Sequence, residues 1–196
     1  MPKVKVNDIQ MYYEVKGTGF PLVMIMGMGG NLDWWDPRLI EGLSKNFKTV
    51  MFDNRGAGRT DVSDKEFSIR LFADDTVGLM NALGISQANI LGFSMGGCIA
   101  QELAINYPEK VKRLILYSTA CGGAKSVPMS QETLNSLMRA GSAPSAEERA
   151  RTLLPLGCTE DFLQRNAGLV EPMIRQMLKA PTSPEAFQRQ ARGAEF

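Results

Sequence analysis

Polar and apolar residues alternate at period two at the start of the chain. Val4 and Val6 alternate with lysines, and Ile9, Met11 and Tyr13 repeat with the same period. Alternation sends successive side chains to opposite faces of a strand, so residues 3–7 and 9–16 are predicted to form a hairpin. Gly17-Thr18-Gly19-Phe20-Pro21 reads as a turn. The pattern then changes. Leu22-Val23-Met24-Ile25-Met26 and Thr49-Val50-Met51-Phe52 are continuously apolar, as strands covered on both faces should be. Between them, residues 34–45 are predicted helical, with Trp35, Leu39 and Leu43 on one face. Residues 68–83 are helical as well: Phe72, Thr76, Leu79 and Leu83 share a face, Asp74 and Asp75 lie opposite, and Gly84 supplies a stop.

A short apolar strand, 89–93, runs directly into a helical pattern from Met95 to Tyr107, which Pro108 ends. Val111 to Tyr117 forms one more strand. Strands alternating with helices predict an α/β fold, a mostly parallel sheet with helices on both faces. The texture changes after Gly123. Residues 128–192 hold only short helical pieces separated by Pro and Gly. Ser145-Ala146-Glu147-Glu148 is a capping box, Thr159 caps a second piece, and Ser183-Pro184 places a cap before a proline at the first helical position. Leu169, Met173 and Met177, with Ile174 and Leu178, form one amphipathic stripe. Two units follow: a six-strand core over 1–123 and a helical cap set over the sheet over 124–196.

Composition narrows the function. The 196 residues carry 22 basic and 21 acidic side chains, with no basic stripe, so nucleic acid is not an expected partner. The N-terminus lacks the apolar run of a signal peptide, and no run approaches a membrane span; a cytoplasmic protein with no membrane partner is expected. Three cysteines (98, 121 and 158) share no metal-ligand spacing, and no metal is expected. There is no histidine, so a histidine general base within this polypeptide is excluded.

The strand-to-helix junction carries the candidate chemistry. It reads Ile90-Leu91-Gly92-Phe93-Ser94-Met95-Gly96-Gly97-Cys98. A turn this abrupt puts Ser94 in strained backbone angles. Gly92 and Gly96 leave room for neighbouring backbone, and the hydroxyl stands at the positive end of a helix.

These residues resemble the α/β-hydrolase superfamily, and within it the esterase and lactonase-like group with a helical cap after the sixth strand. Gly92-Phe93-Ser94-Met95-Gly96-Gly97 resembles its nucleophile motif. Asp53-Asn54-Arg55-Gly56-Ala57-Gly58-Arg59-Thr60 resembles the loop after its fourth strand, and Tyr107-Pro108-Glu109-Lys110-Val111 the segment after the elbow helix. The resemblance implies that Ser94 is a nucleophile attacking a carboxylic ester, without a cofactor. It implies an oxyanion hole from the N–H of Met95 and one N–H of the loop after the third strand. In that loop Met26-Gly27-Met28 stands where His-Gly-x is expected; Met28 N–H is the candidate donor, with Gly29 or Gly30 as substitutes. Asp53 and Arg55 brace their loop. A serine nucleophile argues against the dehalogenase and epoxide hydrolase branches.

The pattern breaks at the end. The family's catalytic acid and histidine follow the nucleophile, beyond a seventh and an eighth strand. Here roughly 70 residues are expected to be missing, and Gly193-Ala194-Glu195-Phe196 reads as a cloning remnant. The chain alone is therefore expected to be nearly inactive, and to dimerise, swap segments or take up a complementing C-terminal fragment. A non-catalytic pseudo-hydrolase that binds a ligand or partner is the alternative, and a part of a split protein a third.

Overall fold

The computed structural model describes residues 2–122 and 126–194. Its sheet has six strands in the order β1-β2-β4-β3-β5-β6. Strand β1 (Lys3–Val6) and strand β2 (Ile9–Lys16) form the predicted hairpin, with Val6 opposite Ile9. Asn7 turns it at φ 51°, a left-handed conformation that Asn tolerates better than most residues. Strand β2 continues antiparallel to β4 (Phe47–Phe52), pairing Tyr13 with Phe52. Strands β4, β3 (Phe20–Ile25), β5 (Ala88–Phe93) and β6 (Val111–Tyr117) are mutually parallel.

The apolar strands are buried on both faces, and the period of two divides them between two cores. Val23, Ile25, Val50, Phe52 and Ile90 face α2 (Ile69–Ala82) and α3 (Met95–Asn106). Leu22, Met24 and Met51 face the other way, onto Trp35 and Ile40 of the α1 side. Each side chain of this size contributes about 1.5–3 kcal/mol by leaving water.

Helix α1 spans Pro37–Ser44, later than the start predicted at Trp34. A residue before proline is pushed to extended angles, and Asp36 has ψ 125°. Its carboxylate accepts from Arg38 N at 2.8 Å and caps the helix there. Leu32–Trp34 forms a separate 3-10 turn, and Leu39 faces solvent while Ile40 is buried. Helix α2 is capped by Ser68, which accepts from Leu71 N. It ends as Gly84 predicts: Gly84 at φ 67° donates to Asn81 O, and Ile85 N donates to Met80 O at 2.8 Å, the paired bonds of a Schellman motif. Asp75 does not lie on the exposed face of α2. It is 1% exposed, because Arg55 meets it in the interior.

Five helices follow: α4 (Gln131–Gly141), α5 (Ala146–Leu153), α6 (Glu160–Arg165), α7 (Ala167–Met177) and α8 (Pro184–Gly193). Ser145, Thr159 and Ser183 cap α5, α6 and α8 through the N–H groups of Glu148, Phe162 and Ala186. Ala150 of α5, Leu154 just after it, and Ile174 and Met177 of α7 form a small core between those two helices. Within the stripe predicted on α7, Ile174 and Met177 are buried and Leu169 is exposed.

Two sequence expectations fall on undescribed residues in whole or part. The boundary at 123/124 lies outside the described residues, as do Glu195 and Phe196. Gly193 and Ala194 do not behave as an appendage. Ala194 belongs to the main core, and a Cβ on Gly193 would come within 2.3 Å of Phe67 O. Among the described residues, no helix is long and apolar enough to cross a membrane.

Candidate active site

The junction between β5 and α3 has the backbone predicted for it. Ser94 has φ 55° and ψ −125°, angles that cost a non-glycine residue on the order of 1–3 kcal/mol and persist only when the surroundings hold them. Those surroundings are visible. Ser94 N donates to Tyr117 O at 3.1 Å, and Ser94 O accepts from Gly97 N at 2.8 Å and from Thr119 Oγ1 at 2.7 Å. A Cβ on Gly92 would stand 2.2 Å from Gly96 O, and one on Gly96 2.2 Å from Ile25 O. Both positions therefore require glycine for close approach, not for a positive φ.

The loop after β3 meets this turn at Gly27, where an added Cβ would lie 2.9 Å from Ser94 Cβ. The N–H groups of the loop divide cleanly. Gly30 N donates to Gly27 O, and Gly29 N donates to Gln190 Oε1 at 2.8 Å. Met28 N is left without an acceptor among the described residues. Met95 N is the first N–H of α3 and has no intrahelical partner by construction. Met95 itself is fully buried in the main core, so its backbone and not its side chain faces the turn.

Asp53 and Arg55 are fully buried beside this region. Asp53 Oδ1 accepts from Leu32 N at 2.7 Å and Oδ2 from Arg59 N at 2.8 Å. Burial pushes its carboxyl above the usual carboxylate range, against the pull of those two N–H groups. Arg55 is held between Asp75 (Nε to Oδ2, 2.7 Å) and Asp8 (Nη2 to Oδ1, 2.8 Å). The Arg55 side chain in turn holds the Asp8 carboxyl well below its usual range. Neither Asp53 nor Arg55 bonds to Ser94.

Several neighbours were not singled out by sequence. Thr119 closes the turn from beyond β6. Asn54 Nδ2 donates to Met26 O at 2.9 Å. Gln190 of α8 bridges two loops, accepting from Gly29 N and donating from Nε2 to Arg55 O at 3.0 Å. No local pattern marks Gln190; its partners lie more than 130 residues away in the chain. Met129 and Met138 are exposed, whereas Met177 joins the helical core. A cleft of about 440 Å³ lies at the opposite end of the strands beside Lys16, Pro37 and Lys45, away from Ser94. Among the described residues no base bonds to Ser94 Oγ, and the chain contains no histidine.

A parallel sheet whose strand turns through a strained serine into a helix defines the α/β-hydrolase class of protein. A family model described as the alpha/beta hydrolase fold matches residues 21–165, and the chain belongs to that family. It is 40% identical over 107 residues to a 2-hydroxymuconate semialdehyde hydrolase of a Pseudomonas species, covering 53% of this chain and 38% of that protein. Its structure resembles an enol-lactonase from Burkholderia xenovorans (TM-score 0.80, 25% identity, 99% of this chain and 74% of that one). It also resembles a thermophilic esterase from Thermogutta terrifontis (TM-score 0.80, 26% identity, 100% and 72%). The chain spans between 38% and 61% of the length of the curated relatives it matches.

Proposed function

We propose that this chain carries the nucleophile and the oxyanion hole of a serine hydrolase acting on carboxylic esters. One observation carries the reading: Ser94 is a non-glycine residue held at φ 55° where a strand becomes a helix. In this reading Ser94 Oγ attacks the ester carbonyl and forms an acyl-enzyme. The N–H groups of Met95 and Met28 receive the developing negative charge. Met28 is preferred over Gly29 and Gly30 because the N–H groups of those two already have acceptors. Asp53 and Arg55 hold the neighbouring loop, and α4–α8 form a lid.

The proton-transfer pair is not within this chain. Removing the histidine of a serine triad lowers kcat on the order of 10⁶-fold and leaves about 10³–10⁴ over water. The chain alone should be nearly inactive, and a form carrying an acid and a histidine should hydrolyse small esters. A fluorophosphonate probe tests the assignment. It should label Ser94 rapidly in the histidine-bearing form and only slowly in the 196-residue chain. The lack of histidine also supports a second reading, a non-catalytic binding protein. Absence of labelling in both forms, with a ligand still bound, would select that one.

A further inference from the structure

Arg149, on α5, is 4% exposed. Its Nε donates to Ala140 O at 3.1 Å and its Nη1 to Thr182 O at 2.7 Å. Its guanidinium sits 5.3 Å from the centre of the Phe187 ring. The third nitrogen, Nη2, has no partner among the described residues. Burial alone pulls the group below its usual pKa, with no carboxylate opposing it. A guanidinium does not give up its proton in a protein, so the charge stays. Buried charges are ordinarily paired, and this one meets two carbonyl groups and an aromatic ring.

A second nitrogen is left in the same way. Trp34 Nε1 is buried and without an acceptor. Trp34 and Arg149 together line a small cavity between the loop after β3 and the helical segment, whose remaining walls include Ala150, Met177 and Pro181. Thr182, also on the wall, directs its hydroxyl proton to Gly29 O. The cavity is thus lined by two residues with unpartnered nitrogens, one of them charged. The cavity is small, about 10 Å³.

We propose that this cavity is a buried halide site, in which Arg149 Nη2 and Trp34 Nε1 donate to a single monatomic anion that neutralises the guanidinium and fastens α5 to the loop after β3. Chloride is the ion present under ordinary conditions. So small a space favours a monatomic anion over a polyatomic one such as acetate. The site is independent of the reaction assigned to Ser94.

Thermal unfolding of the 196-residue chain tests this in sodium bromide, chloride, acetate and gluconate at one ionic strength. Specific binding to the folded state raises Tm with the logarithm of ligand concentration. Bromide and chloride should do so, and acetate and gluconate should not. The halide-dependent rise should vanish in Trp34→Phe, which removes the donor together with the pyrrole ring, and in Arg149→Met. Crystals grown in bromide should show an anomalous peak between the two side chains. A wild-type Tm indifferent to halide, a rise matched by acetate, a rise kept in Trp34→Phe, or a water in place of the anomalous peak would each overturn the assignment.

Discussion

At the scale of single residues, the strain at Ser94 and the charge on Asp8 lead to separate measurements. The unfavourable angles of Ser94 act through its Cβ, since only glycine adopts φ 55°, ψ −125° without that penalty. Ser94→Gly removes the Cβ and should raise stability by about 1 kcal/mol, the relief being partly offset by the greater freedom of glycine in the unfolded chain. Ser94→Ala keeps the Cβ and should be near neutral. Equal melting temperatures for the two variants would place the strain elsewhere. Asp8 has a depressed pKa, chiefly through its hydrogen bond to Arg55. Its stabilisation is therefore complete above the unfolded value of about 3.9 and is lost as pH falls toward the lower folded value. Asp8→Asn should lower Tm at neutral pH, and the gap to wild type should close progressively below about pH 4. A gap that stays constant down to strongly acid pH would show that the pairing with Arg55 is not its source.

At the scale of elements, what could be read from sequence followed the range of the interactions. The hairpin, the buried strands, the helix caps at Ser145, Thr159 and Ser183, and the Gly84 stop depend on neighbours a few residues apart, and all are present. The elbow was legible for the same reason: Gly92, Ser94 and Gly96 carry their own steric requirement. Long-range pairings were not legible. Asp75 looked solvent-facing because its partner Arg55 lies 20 residues away, and nothing near Gln190 announced its role. Helix α8 is fastened at that residue. Gln190 is fully buried and satisfies one N–H and one C=O of two separate loops. Gln190→Ala leaves both groups without partners, at about 1–3 kcal/mol each. We expect a loss of about 2 kcal/mol or more in denaturant unfolding and faster hydrogen exchange at the Gly29 amide. A variant that unfolds at the wild-type denaturant midpoint would mean that α8 is held by Phe187 packing alone.

At the scale of the whole molecule, one side of the sheet is protected and the other is open. The β1–β2 hairpin closes the first side with a short, lysine-bearing edge strand, an ordinary means of discouraging further pairing. Strand β6 ends the other side. It is bonded to β5 along one edge only, and Leu114, Ile115, Leu116 and Tyr117 are all substantially exposed. Four consecutive exposed apolar residues on an unpaired edge form a template for another strand. Antiparallel pairing of two β6 strands about Leu114 would set Arg113 opposite Ile115 and Lys112 opposite Leu116, so the basic residues would not oppose each other. We therefore propose that the 196-residue chain self-associates through β6, with a sedimentation coefficient that rises with concentration. Leu116→Lys adds a charge to the edge without entering either main core and should return the chain to a monomer while leaving its Tm within a few degrees. Association that survives this change would move the contact to another surface. A wild-type chain that stays monomeric at high micromolar concentration would show that β6 is tolerated as a bare edge.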